Sequence, residues 1–243
     1  MGIEGWVEAC MGQLFKRRSE SGVADLPTLS VTMDRGLVRR DSIERKMETT
    51  LEADQHLLVR KGDIAYNMMR MWQGASGLAM EDGLVSPAYI VLKPTVNVDC
   101  LFASHFFKFR HTLKQFEDYS QGITADRLRL YYKDFAVIPT KIPPIHEQQR
   151  IADILSTWDR AIDLTKRLIA AKTKHKQALM QQLLTGKVRY SEFVKSNKLQ
   201  RTPLGDMPLD WKKFRLGQIV EKVKRKNSVG EERVLTASGE FGL

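Results

Sequence analysis

The chain begins twice, and nothing else in it constrains the fold as strongly. Near the N-terminus it reads Trp6, five residues, then Gly12-Gln13-Leu14-Phe15; near the C-terminus it reads Trp211, five residues, then Gly217-Gln218-Ile219-Val220. Lys16-Arg17-Arg18 is answered by Lys224-Arg225-Lys226, Leu29-Ser30-Val31-Thr32 by Leu235-Thr236-Ala237-Ser238, and Gly36-Leu37 by Gly242-Leu243. A spacing of roughly 200 residues is far beyond the roughly 20–50-residue period of a solenoid unit. The repeat therefore reads as a duplicated domain whose second copy is cut short. That second copy, residues 206–243, is expected to be poorly ordered, because the start of a domain cannot bury enough apolar surface to offset the entropy of ordering.

Net charge is the next constraint. At +10, with a pI near 9.6, the chain is suited to a polyanionic partner, chiefly nucleic acid or an anionic membrane surface. A merely basic soluble protein would carry the same balance. No stretch approaches the roughly 20 apolar residues of a membrane span, and the start lacks the layout of a signal peptide. Cys10 and Cys100 are the only cysteines, which offers no disulfide framework and suits a reducing compartment. The expected location is the cytoplasm, with no membrane partner.

Along the chain, short strand-like runs alternate with turn signals up to residue 142. Leu57-Leu58-Val59, Ile64-Ala65-Tyr66-Asn67, Tyr89-Ile90-Val91-Leu92 and Phe135-Ala136-Val137-Ile138 read as strands, the last stopped by Pro139. Phe102, Phe106, Phe109 and Phe116 are spaced helically. The expected class is α+β, with an irregular α/β domain over 1–142 and no alternating βαβ pattern. Residues 143–190 then read as one long helix, since Pro143-Pro144 precedes it, Thr185-Gly186 stops it, and neither proline nor glycine occurs from Glu147 to Leu184. That is roughly 55 Å of helix. A polar linker over 191–205 and the second copy over 206–243 complete the division.

The helix carries an apolar line through Ile151, Leu155, Trp158, Ile162, Ile169 and Met180, flanked by Ile154, Ala161, Leu168, Leu179 and Leu183. So wide a sector exceeds a two-stranded seam and suits a helix that meets more than one surface.

Candidate chemistry is sparse. Ser86-Pro87-Ala88-Tyr89 resembles the Ser/Asn/Asp-Pro-Pro-Tyr motif of amino-methyltransferases, but its third residue is Ala and no Gly-rich methyl-donor loop precedes it. The five histidines have no metal-ligand spacing. A methyltransferase or nuclease activity of the chain itself is thus disfavoured. What remains is the run Asn67 to Gly77, which places Asn67, Arg70, Trp72 and Gln73 beside Gly74 and Gly77. Arg can grip a guanine edge in bidentate fashion and Asn or Gln an adenine edge, while the glycines would let backbone approach a duplex. Lys16, Arg17, Arg18, Arg35, Arg39, Arg40, Arg127 and Arg129 are the candidate phosphate contacts.

The run Ile142-Pro143-Pro144-Ile145-His146-Glu147-Gln148-Gln149-Arg150-Ile151-Ala152, continued by Ile154-Leu155-Ser156-Thr157-Trp158-Asp159, resembles the specificity subunit of type I restriction-modification systems. So do Leu179-Met180-Gln181-Gln182-Leu183-Leu184-Thr185-Gly186-Lys187 and the stretch from Gly62-Asp63-Ile64 through Trp72-Gln73-Gly74-Ala75 to Asp82-Gly83 and Ser86-Pro87-Ala88-Tyr89. The resemblance implies that residues 1–142 are a target-recognition domain and 143–190 a spacer helix able to pair antiparallel.

It further implies a non-catalytic subunit that reads double-stranded DNA at a split site. Methyltransferase subunits would methylate adenine with S-adenosylmethionine, and restriction subunits would use ATP and Mg; no cofactor is expected on this chain. With one domain and one helix, the chain is also expected to dimerise through its helix and read a palindrome. The competing expectation is a stand-alone dimeric DNA-binding regulator, or an inactive remnant of such a subunit.

Overall fold

In the computed structural model, which describes residues 5–43, 51–124, 127–203 and 205–222, the short apolar runs become short strands. In chain order these elements are β1 (Val7–Cys10), α1 (Met11–Leu14), β2 (Phe15–Arg18), β3 (Leu29–Thr32), β4 (Gly36–Arg39), β5 (Leu57–Val59), β6 (Ile64–Asn67), β7 (Ser76–Leu78), β8 (Gly83–Val85) and β9 (Tyr89–Pro94). Three short helices follow, α2 (Cys100–Phe106), α3 (Arg110–Asp118) and α4 (Tyr132–Ala136), then β10 (Pro139–Ile142) and the long α5 (Ile145–Leu184). The described residues form two compact units that divide at Lys166 and Arg167. No described helix is long and apolar enough to cross a membrane.

The first unit is organised by an antiparallel sheet of order β2-β9-β6-β7. Alternation sends Ile64, Tyr66, Ile90 and Leu92 to one face and Ala65 and Val91 to the other. Both faces are covered: the first by Phe15, Phe102, Phe107, Phe116 and Phe135, the second by Leu29, Val59 and Val85. A strand buried on both faces needs apolar residues at every position, which is why Ile64-Ala65-Tyr66 shows no polar alternation.

Two sequence expectations are corrected here. Phe135-Ala136-Val137-Ile138 is not a strand. Phe135 lies in the helix α4, ringed by Phe15, Tyr66, Phe107 and Phe116 with ring centroids 5.8–6.0 Å away. Tertiary packing of that ring overrides β propensity. The strand starts instead at Pro139, opposite Cys10 in the two-stranded β1–β10 pair, where a missing N–H is tolerated. The aromatic run from Leu101 to Phe116 likewise forms two helices, with Phe109 capping the second and 59% exposed.

The motif after β10 has a definite structural role. Gln148 is wholly buried. Its Oε1 accepts from the Asp99 N–H at 2.9 Å, and its Nε2 donates to the carbonyls of Asn97 at 3.0 Å and Pro143 at 2.8 Å. One amide thus joins the start of α5, the end of β10 and the entry to α2. Ala152, also buried, seats the next turn, and the Trp6 indole N–H donates to Glu147 at 3.3 Å.

In the second unit α5 ends as expected, at Gly186 in the left-handed conformation (φ 73°). The linker expected over 191–205 is corrected, because it contains β11 (Leu199–Thr202), which pairs with β12 (Gly205–Pro208) across the expected boundary. The hairpin packs on the helix end. A Cβ on Gly186 would meet Pro208 Cγ at 2.5 Å, and Arg189 forms a two-point pair with Asp210 at 2.8 and 3.0 Å while lying 5.9 Å from the Trp211 ring. Residues 206–211 are therefore structured, against the expectation for the second copy, although Phe214 is exposed.

The repeat is visible as local structure. In α1 Gln13 accepts from the Cys10 N–H at 2.7 Å; in α6 (Leu216–Ile219) Gln218 accepts from the Arg215 N–H at 2.8 Å. The later echoes, Lys224 to Lys226, Leu235 to Ser238 and Gly242-Leu243, lie outside the described residues.

Two outcomes are expected. Gln148→Leu removes the partners of one buried and two part-buried backbone groups, so it should cost about 2 kcal/mol or more, and a urea midpoint implying under about 1 kcal/mol would contradict the clamp. The Asp210 carboxyl is held down to about 2 by hydrogen bonding from Arg189 and the Lys195 N–H. Because its folded pKa is depressed, its contribution is present above the ordinary aspartate value and is lost as pH falls through about 2. Trp211 fluorescence in a variant lacking the other tryptophans should accordingly hold from neutral pH past about 4 and change only as pH falls toward about 2.

Candidate nucleic-acid interface

Antiparallel register places the ends of β2 and β6 beside the start of β9: Arg18 faces Val91 and Asn67 faces Tyr89. From this end of the sheet projects the turn Asn67 to Ala75. Much of its polar chemistry is internal. The Asn67 Oδ1 accepts from Met69 N–H at 3.0 Å, its N–H donates to Ala75 at 3.0 Å, and the Trp72 indole donates to the Met69 carbonyl at 3.2 Å. Met71, wholly buried, roots the turn. Asn67 and Trp72, half-buried, are therefore builders of the turn as well as candidate readers. Arg70 and Gln73 are exposed, and among the described residues neither side chain has a hydrogen-bond or ion-pair partner. A guanidinium and an amide so presented can each make a bidentate contact to a base edge.

The two glycines have a different purpose from the one expected. Gly74 is buried and left-handed (φ 86°), closing the turn with its N–H on Met71. A Cβ on Gly77 would lie 2.0 Å from the Leu37 N. Both allow the chain to approach itself, and both are covered, so neither offers backbone to a duplex.

The basic residues separate into groups. Arg17 is exposed and lines a shallow cleft with Met68, Pro87, Gln121, Tyr131 and Lys133. The Leu130 N–H donates to Met68 at 2.8 Å and the Tyr66 hydroxyl to Leu130 at 3.2 Å, tying this cleft to the root of the turn. Arg127 and Arg129 are exposed on the same connecting segment, which is bridged to Gln121 through the Arg129 backbone. Arg35 is exposed in the β3–β4 turn. Lys16 is exposed but points to the opposite face of β2 from Arg17 by strand alternation, and its ammonium donates to the Gly12 carbonyl at 2.7 Å.

Arg18 is a structural cation. Its Nε donates to Asp63 at 2.6 Å and its Nη2 at 3.3 Å; the side chains are 10% and 4% exposed. Hydrogen bonding to Asp63 raises its pKa further, and Glu20 adds to the effect. The pair pins the end of β2 to the turn before β6, so this charge is already neutralised within the fold. Arg39 is paired with Glu81.

Tyr131, Lys133 and Gln121 were not anticipated at this rim. The available signal is the Tyr131-Tyr132-Lys133 run, which sets aromatics beside a cation.

On α5 the line of apolar residues is mostly open. Trp158 is 65% exposed and Ile162 50%, with Leu155 at 38%, and in the second unit Ile169 is 61%. Ile151 differs, because it packs against the core of the recognition domain and is not part of an open seam.

Comparison with known proteins agrees with this architecture. The curated type I restriction enzyme MjaVIII specificity subunit of Methanocaldococcus jannaschii is 26% identical over 188 residues, 75% of this chain and 40% of the relative. The putative type I restriction enzyme MjaX specificity subunit of the same organism is 35% identical over 77 residues, 31% of this chain and 17% of the relative. The crystal structure of the HsdS subunit from Thermoanaerobacter tengcongensis shares the fold, with a TM-score of 0.50 at 15% identity over 82% of this chain and 53% of that one. The chain thus spans about half or less of the proteins it matches. The family described as the type I restriction modification DNA specificity domain matches residues 27–172, from the β3–β4 hairpin through the Asn67 to Ala75 turn into α5, and the chain belongs to that family.

Proposed function

We propose that this chain is a non-catalytic, DNA-reading specificity subunit. It recognises a short sequence in double-stranded DNA through the Asn67 to Gln73 turn and directs methyltransferase and restriction subunits to a split site in the cytoplasm. The observation that carries the reading is the presentation of unpaired Arg70 and Gln73 at the end of the sheet where Arg17, Arg129 and Lys133 are also exposed. Base edges require bidentate donors, and the surrounding phosphates require cations that are not already paired within the fold. Membership of the family supports the absence of catalysis here. On this reading S-adenosylmethionine, ATP and Mg belong to the partner subunits.

The open apolar residues of α5 favour an additional element, a homodimer through the helix. A patch containing Trp158 and Ile162 is unusual on a monomer, and its closest complement is the same face of a second copy about a two-fold axis. Two identical domains so arranged would read an inverted repeat, with helix length setting the gap. The same dimer without partner subunits would be a stand-alone DNA-binding regulator. Pull-down of methyltransferase subunits co-expressed with the chain distinguishes the two.

Three measurements test the proposal. Binding to duplex DNA should fall steeply with salt, by roughly 0.9 log units per phosphate contact for each tenfold rise in salt; a flat dependence would exclude phosphate-led binding. Arg70→Ala and Gln73→Ala should each cost roughly 1–3 kcal/mol against the preferred base, whereas Arg17→Ala should weaken all sequences alike. If both turn variants kept wild-type affinity and preference, the turn would not be the reader. Trp158→Asp should convert a dimer to a monomer in light scattering, since it places an unpaired charge in an apolar contact, and a wild-type monomer at tens of micromolar would refute the dimer.

A further inference from the structure

We propose that Lys108, which lies between α2 and α3, is a positioning residue that braces the recognition turn against the β3–β4 turn and so sets which base pairs Arg70 and Gln73 can reach. The inference rests on the DNA-reading function proposed above.

The Lys108 ammonium donates to the Gly74 carbonyl at 2.5 Å and reaches the Met33 carbonyl at 3.5 Å. Its stem runs beside Gly74, where an added Cβ would lie 3.6 Å from Lys108 Cδ. Loss of hydration at this position lowers the ammonium's pKa, while the Asp34 carboxylate opposes that shift. One cation is therefore held among groups from two different loops. Gly74 closes the turn bearing Arg70 and Gln73, and Met33 and Asp34 belong to the turn bearing Arg35.

The recognition turn has other anchors, and each fixes a different point. Leu130 holds Met68, Leu113 covers Gly74, and the close approach of Gly77 to Leu37 holds the start of β7. Of these contacts, the Lys108 ammonium is the one that reaches the end of the recognition turn at Gly74 and the β3–β4 turn at Met33. An ammonium suits the task, because it offers three donors on a flexible stem and can serve two carbonyls at once. Without it the two loops keep their own internal hydrogen bonds but lose their common point. Gly74 O also accepts from Ser76 N–H at 2.8 Å, so removing the ammonium leaves no orphaned carbonyl and the fold should persist.

The test compares the wild-type chain with Lys108→Met, which retains the stem, and Lys108→Arg, which retains the charge. Duplexes enriched by the wild type from a random library serve as the specific probe, and unselected duplex as the random one. Lys108→Met should lose roughly tenfold in the ratio of specific to random affinity, with the random affinity and salt slope unchanged, and Lys108→Arg should restore much of that ratio. Amide hydrogen exchange should quicken over residues 34–37 and 70–75 in Lys108→Met, with β6 and β9 unaffected. An equal loss on both probes with a salt slope shallower by about one would make Lys108 a phosphate contact and overturn the proposal. So would an unchanged ratio together with unchanged exchange. A wild type that enriches nothing would refute the DNA-reading function instead, and the exchange measurement would still decide whether the brace exists.

Discussion

The buried amide of Gln148 accepts one backbone hydrogen bond and donates two, and the recognition domain is assembled around that arrangement. The Asp99 N–H needs an acceptor, while the Asn97 and Pro143 carbonyls need donors. A glutamate here could not donate, and a leucine could do neither, so the chemistry admits an amide of this length and little else. Its position has consequences further out. The entry to α2 is held at Asp99, α2 leads through Lys108 to α3, and Lys108 and Leu113 together contact Gly74 in the recognition turn. The start of the long helix and the Asn67 to Ala75 turn thus share one support within the first unit.

The cations of this protein do not all have one role, and net charge alone would mislead about how many are available to DNA. Arg18 is enclosed with Asp63, Arg39 is engaged by Glu81, and Arg189 holds Asp210 beneath Trp211. These pairs stiffen the end of β2, the edge of the small hairpin and the hairpin after α5. Arg17, Arg35, Arg70, Arg127 and Arg129 stay exposed. Only cations of the second kind are free to replace the counterions condensed on a phosphate backbone.

The internal repeat separates local from tertiary causes. A glutamine at the third position of a one-turn helix reaches back to cap the preceding N–H in both copies, through Gln13 and Gln218. Surroundings then diverge: Met11 is wholly buried in the core, whereas Leu216, at the matching position, is 74% exposed. Equal sequence produces equal local geometry, and burial follows from what else is present to pack against it.

Much of the fold was legible before the structure because its signals are local. The limits of α5 follow from Pro143-Pro144 and Gly186, the strands β5, β6 and β9 from apolar runs between turn residues, and the candidate reading turn from an Asn, an Arg and a Gln beside glycines. The family resemblance was carried by the helix motifs in the same way. Other features depended on residues distant in sequence. Phe135 becomes helical where the rings of Phe15, Tyr66, Phe107 and Phe116 enclose it, and Arg18 leaves the candidate DNA-contacting set because it pairs with Asp63, 45 positions away. Gly77 accommodates the backbone of Leu37 rather than a duplex. Sequence by itself determined the limits of α5, the places of β5, β6 and β9 and which residue types could read a base, since those depend on neighbours along the chain. Tertiary structure alone decided which charges were neutralised, which glycines were covered and which side chains remained exposed, because each of those is settled by a partner that only folding brings near.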